Sequence, residues 1–244
     1  MNDLVKRIDA ENINHEQGCL ICGAPLVYSE EMYKSHCMLC GEEFDTNAEC
    51  KNKHFVCNEC HSKDAFAIIK TFCERTRLDD PIQIMEEIFK YPQVKLHGPE
   101  HHFLVPAAIV TALKNNGQVV SPKYLEEIEA RAKNIPGGAC GFWGACGAGI
   151  GVGIAFSVFF KANPKKKTER GHAIKATSLA LSYIGDGNEQ CCKRESRTAI
   201  KAACKILKDE HGIELPCAND VHCTFSSVND RCNMDLCEYY GCKQ

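Results

Sequence analysis

Beyond residue 61 the apolar positions recur with the period of a helix. SKDAFAIIKTFCERTR (62–77) sets Phe66, Ile69, Phe72 and Cys73 on one stripe, which predicts an amphipathic helix with Cys73 as a core thiol. Asp80-Pro81 and Ser121-Pro122 each pair a capping side chain with a proline suited to the first helical position, predicting helices over 80–90 and 121–135. Another helix runs from Pro99 to Asn116 and ends at Gly117, and the one in ERGHAIKATSLALSYIGDG is stopped by Gly185. In ESRTAIKAACKILKDEHG, Ala199, Ile200, Ala203, Cys204 and Leu207 mark a buried face, so Cys204 reads as structural. No strand-rich segment follows residue 61. The pattern predicts a mainly α fold: a helical domain over 62–244 with a Cys-rich tail (191–244), preceded by a small module over 1–61.

One stretch breaks the amphipathic texture. Ile135 to Phe160 carries no charge, and in length it exceeds the about 20 apolar residues that cross a bilayer. Pro136 and the glycines leave its first half poor in hydrocarbon, so Gly147–Phe160 reads as a buried core helix and no membrane span is expected. Glycines at alternate positions strip that helix of side chains and let another backbone or a ligand approach. Cys140 and Cys146 flank its start, where backbone N–H groups and the helix dipole lower a thiol pKa. Together with Trp143 they read as a reactive pocket.

Composition sharpens the question of thiols. The chain of 244 residues holds 18 cysteines, with 29 basic against 32 acidic residues. A balance so close to neutral gives no strong nucleic-acid signal. MNDLVKRIDAENINHEQ has neither the apolar core nor the cleavage site of a signal peptide, so a cytoplasmic location is expected. Thiols stay reduced there, and so many of them point to metal.

From Cys19 the chain reads CLICGAPLVYSEEMYKSHCMLCGEEF, two C-x2-C knuckles each followed by glycine, and then Cys50, His54, Cys57, Cys60 and His61. Cys19, Cys22, Cys37, Cys40, Cys50, His54, Cys57 and Cys60 make eight ligands in four pairs, enough for one or two zinc ions in a zinc-ribbon or RING-like module. Spacing leaves open whether the pairs act in series or interleaved. Zinc can stand in for a hydrophobic core in so short a segment.

HGPEHHFLVPAA groups His97, Glu100, His101 and His102 at a helix N-terminus, suited to acid–base work or metal ligation. H-x2-E-H also matches an inverted zinc-protease motif, but Gly98-Pro99 places His97 ahead of the helix. Cys191 and Cys192 precede the last helix, and Cys217, Cys223, Cys232, Cys237 and Cys242 follow it at loose gaps, in a tail that needs a cross-link. Such gaps suit an iron–sulfur cluster at least as well as zinc. Adjacent Cys191 and Cys192 do not easily serve one ion together. Either one ligates and the other is spare, or the pair forms a redox-active vicinal disulfide.

HGPEHHFLVPAA, PGGACGFWGACGAGIGVGIAFSVFFKANP, CCKRESRTAIKAACKIL and HCTFSSVNDRCNMDLC resemble the signatures of a cysteine-rich uncharacterised family of strict anaerobes and methanogens. Some members of that family are joined to, or labelled as, SAM-dependent methyltransferases. The resemblance implies an architecture with an N-terminal knuckle module, an anaerobic habitat favourable to oxygen-sensitive clusters, and no particular reaction. Among the tail cysteines it favours Cys223, Cys232 and Cys237. No glycine-rich loop after a strand and no βαβ pattern supports SAM binding.

Three functions follow as expectations. The first is an iron–sulfur enzyme whose cluster is held by Cys192, Cys223, Cys232 and Cys237, or by three of them, facing a Cys140/Cys146 pocket. There a sulfur-transfer or redox reaction acts on a small-molecule or sulfur substrate, with His101 and Glu100 moving protons. The second is a zinc-dependent adaptor for a partner enzyme or RNA, presenting its module and the Lys165-Lys166-Lys167 loop. The third is a metal-dependent hydrolase or lyase built on His97 to His102. Assembly through the glycine-rich helix is compatible with each of them.

Overall fold

The first knuckle leads into an antiparallel hairpin, β1 (Leu26–His36) and β2 (Glu43–Cys50). Its register sets Leu26 opposite Cys50 and His36 opposite Glu43, with an irregularity between Tyr28 and Tyr33. The hairpin therefore returns the third knuckle to the first, while an isolated bridge between Cys37 and Phe55 draws the fourth to the second. The computed structural model describes residues 18–185 and 189–241; Cys242 lies outside them.

Eight α-helices follow among the described residues: α1 (Asn58–Arg75), α2 (Pro81–Phe89), α3 (Glu100–Asn115), α4 (Tyr124–Ala132), α5 (Ala139–Phe142), α6 (Gly147–Phe159), α7 (Lys167–Ile184) and α8 (Cys192–His211). With one small sheet beside them, the fold is mainly α. α1 begins inside the fourth knuckle, with Cys57 as its N-cap, and passes through residue 61 into the helical core. Asp80 caps α2 as its sequence requires: Oδ1 accepts the N–H groups of Ile82 and Gln83, and Oδ2 accepts that of Ala218, which fastens the tail.

Two helix starts differ from the sequence pattern. α4 begins at Tyr124, because Ser121 Oγ accepts the N–H of Lys123 in a turn and donates to Glu127 instead of capping. α8 begins at Cys192, where the pattern places the doublet ahead of the helix. Glu195 Oε1 accepts the Cys191 N–H at 3.3 Å and closes the first turn early.

The core is built around α3, buried from Glu100 to Leu113, as expected of a helix covered on every side. α6 lies against both α3 and α7. A Cβ on Gly151 would lie 2.8 Å from Cδ of Pro106 in α3, and one on Gly153 would collide with Thr177 of α7. The alternating glycines thus bring two helices onto opposite sides of α6, and the uncharged stretch is core. No helix among the described residues is long and apolar enough to cross a membrane.

Candidate functional site

The first two C-x2-C knuckles are closed by backbone bonds from a glycine. Gly23 N–H donates to Cys19 O at 2.7 Å and Gly41 N–H to Cys37 O at 2.8 Å, with φ of 70° and 77°, the left-handed values that glycine alone adopts without strain. The glycine after each pair is thereby explained.

The knuckles interleave. Cys19, Cys22, Cys50 and His54 form one group and Cys37, Cys40, Cys57 and Cys60 the other, with the ligand atoms of each within 4.8 Å of one another. Cys22 Sγ lies 3.9 Å from Cys50 Sγ and 3.3 Å from His54 Nδ1; Cys40 and Cys57 are also 3.9 Å apart. Zinc–sulfur bonds of about 2.3 Å put tetrahedral ligands about 3.8 Å apart, so both groups fit one ion each. The backbone N–H of Ala24 and the amide of Asn52 pull the Cys22 thiol down to about 6. Burial works against Cys37, yet the N–H groups of Cys57, Cys40 and Leu39 bring it to about 6 as well. His61 takes no part in either group.

Between the module and the helices lies a cavity of about 590 Å³. Cys140 of α5, Cys146 at the N-cap of α6 and Cys192 at the start of α8 all line it, together with Gln190, Glu195 and Arg231. Cys146 Sγ donates to Glu195 Oε2 at 3.0 Å. The Gln190 amide lies 3.4 Å from Cys140 Sγ and 4.0 Å from Cys192 Sγ, and its oxygen accepts from Arg231 at 2.7 Å. Trp143 is exposed and outside the lining, where its neighbour Phe142 stands against Tyr28.

The thiols do not ionise as their place at a helix start suggests. Burial, and then the Glu195 carboxylate, push Cys140, Cys146 and Cys192 upward. The N–H groups of Ala148 and Gly149 do aid the Cys146 thiolate, but they are outweighed. All three thiols therefore stay protonated near neutral pH, and Glu195 is the carboxylate within reach of a sulfur.

Glu195, Gln190 and Arg231 are the pocket residues that sequence reasoning missed. Glu195 alone had a local signal, a carboxylate one helical turn after the Cys191 N-cap. The chain belongs to the DUF5714 family. The match, to a family of unknown function, covers residues 69–240. No curated protein and no solved structure matches the chain. The DUF5714 region contains all three pocket thiols and Glu195, whereas the two metal groups precede it.

Within the DUF5714 region His97, His101 and His102 also line the cavity, and each has a ring nitrogen bonded to the fold. His101 Nε2 meets Lys95 O at 3.0 Å and Nδ1 meets Ser196 Oγ at 3.2 Å, and burial depresses its pKa far below the usual value. Glu100 accepts the Lys95 N–H, is raised by burial, and lies behind the cavity wall. His97 Nε2 bonds Asn229 Oδ1 at 3.1 Å, and His102 Nδ1 bonds Ile135 O at 3.2 Å. These four residues form no metal-binding group among the described residues.

His102 carries a pH prediction. Burial lowers it from 6.5 to about 4, so the unfolded chain binds a proton that the folded chain refuses between those values. Its stabilising effect is complete above pH 6.5 and is lost as pH falls, by about 2 kcal/mol at pH 5. In urea unfolding at pH 7 and pH 5, the wild type should lose that much more than His102→Gln. Equal losses in the two proteins would refute it.

Proposed function

We propose that the chain is a thiol-dependent metalloenzyme carrying out sulfur transfer or thiol redox chemistry on a small substrate. Three thiols from separate helices converge with Glu195 and Gln190 on one cavity, and this convergence carries the proposal. Cys146 attacks the sulfane sulfur of a persulfide or polysulfide, its proton passing to Glu195 as the donor's S–S bond breaks and the shortened thiolate leaves. Cys140 or Cys192 then takes the outer sulfur of the Cys146 persulfide as the Cys146 thiol is released, or attacks the inner sulfur to form a disulfide as sulfide leaves. Arg231 offers a cation to an anionic substrate. Two zinc ions hold the module that forms the outer wall. An iron–sulfur cluster in the C-terminal tail is the second cofactor.

A second reading, an adaptor, is favoured by one observation: Leu26, Val27, Tyr28, Met32, Met38 and Leu39 are all exposed on the module. Anaerobic incubation with inorganic polysulfide separates the two. The enzyme should gain one sulfur on Cys146 or Cys140 ahead of the tail cysteines, as a thiol–sulfur bond forms and a shortened polysulfide leaves. Cys146→Ala should abolish that addition with zinc content unchanged, and Glu195→Gln should slow it. Unselective labelling, together with a loss of about 2 kcal/mol of stability in Cys146→Ala, would leave the adaptor.

A further inference from the structure

The doublet Cys191-Cys192 straddles the first peptide of α8, and its two side chains turn to different sides. Cys192 faces the cavity, near the Gln190 amide and the thiol of Cys146. Cys191, the N-cap, faces the tail, where the Asn229 amide donates to its sulfur at 3.5 Å.

The tail is folded onto that same point. Asn229 O accepts the Cys232 N–H at 3.1 Å, and Tyr239 O accepts the Cys223 N–H at 2.7 Å, which brings Cys223 beside the segment holding Cys237. Cys223 interacts electrostatically with Cys191 and Cys237, and Cys237 with Cys232. Over residues 213–241 only Leu215, Phe225, Asn229 and Tyr239 are buried, and the regular structure is one short 3-10 turn (Met234–Leu236). That is too little apolar burial to order such a segment, as in the zinc module.

We infer that Cys191, Cys223, Cys232 and Cys237 ligate one polynuclear iron–sulfur cluster, leaving Cys192 free for the pocket. This assignment deepens the cofactor part of the proposed function and does not depend on the chemistry of the pocket. Spacing favours a cluster over a single ion. The thiols of the module close to tetrahedral distances, whereas among the described residues no three tail thiols lie mutually within 4.8 Å. A cluster binds each thiolate to a different iron and holds them further apart. Charge agrees: four thiolates around a cluster are anionic, and the Arg197 guanidinium stands near Cys223 while Arg194 stands near Cys191 and Cys237. The N-terminus of α8 adds its positive end.

The test is iron, acid-labile sulfide and zinc content of the full chain, purified without oxygen and reconstituted with ferrous iron and sulfide. The wild type should take up iron and sulfide in near-equal amounts beside its zinc. Cys191→Ala should lose most of both while keeping its zinc and its polysulfide labelling at the pocket, and Cys192→Ala should keep the full iron. Should Cys191→Ala fail to fold, Cys232→Ala and the retained iron of Cys192→Ala decide. Loss of iron in Cys192→Ala but not in Cys191→Ala would overturn the ligand assignment, and a wild type that binds no iron with sulfide would overturn the cluster. Loss of pocket labelling with iron intact would count against the thiol enzyme alone.

Discussion

Stripping the metal from the module should unfold residues 18–57 and leave α3 and α8 folded. Of residues 18–57, those buried are Cys19, Cys37, Thr46, Cys50 and Cys57, so apart from one threonine the interior of this segment consists of ligands. Leu26, Val27, Tyr28, Met32 and Phe44, which would form a core elsewhere, are exposed. On the proposal that each group holds an ion, the free energy that orders the hairpin comes from metal binding, on the order of 10 kcal/mol per ion by comparison with zinc-finger peptides. Hydrogen exchange after treatment with a strong chelator is the measurement: amides of β1 and β2 should exchange freely, with two ions released per chain, while those of α3 keep their protection. Retained protection in β1 after complete metal loss would show that the hairpin stands by itself. The same loss should open the cavity, because Cys19, His54, Phe55 and Asn58 form part of its wall.

The cysteine module was legible because its candidate ligands are close in sequence and each of the first two knuckles carries its own glycine. What spacing left open, the pairing, is fixed by the hairpin register, which sets Leu26 directly opposite Cys50. The helices were legible from their stripes, and Asp80 was legible as a cap. Ser121 misled because its hydroxyl found a bond to Glu127 beyond the reach of a propensity rule. Cys140 and Cys146 were legible as a pair around a helix start, but their ionisation was not. A helix N-terminus lowers a thiol pKa only while water and neighbouring charge permit, and here burial and Glu195, 49 residues from Cys146, reverse the sign. The surroundings of Cys191 likewise turn on Asn229, which meets its sulfur only once the tail has folded back.

Glu86→Ala should cost about 3–5 kcal/mol, the largest loss expected from a single carboxylate in the helical region. Arg197 is 1% exposed, and its Nε and Nη2 donate to the two oxygens of Glu86 at 2.7 and 2.9 Å. Burial works against the guanidinium, but Glu86 holds its pKa above the ordinary arginine value. Without Glu86 the charge stays buried, since arginine does not shed its proton to escape desolvation. Its remaining neighbours are the Cys223 side chain and the rings of Phe89 and Tyr239 at 5.3 and 5.5 Å, none of which matches a bidentate carboxylate. The control is the double replacement Glu86→Ala with Arg197→Met, which removes the charge along with its partner and should recover much of the loss in urea midpoints. If the single replacement costs no more than Asp209→Ala, which breaks only the exposed pair with Lys205, then Arg197 is not held by its partner. Because Arg197 also reaches Cys223, Glu86→Ala should loosen the tail first, exposing residues 223–237 to proteolysis at denaturant concentrations where α3 remains intact.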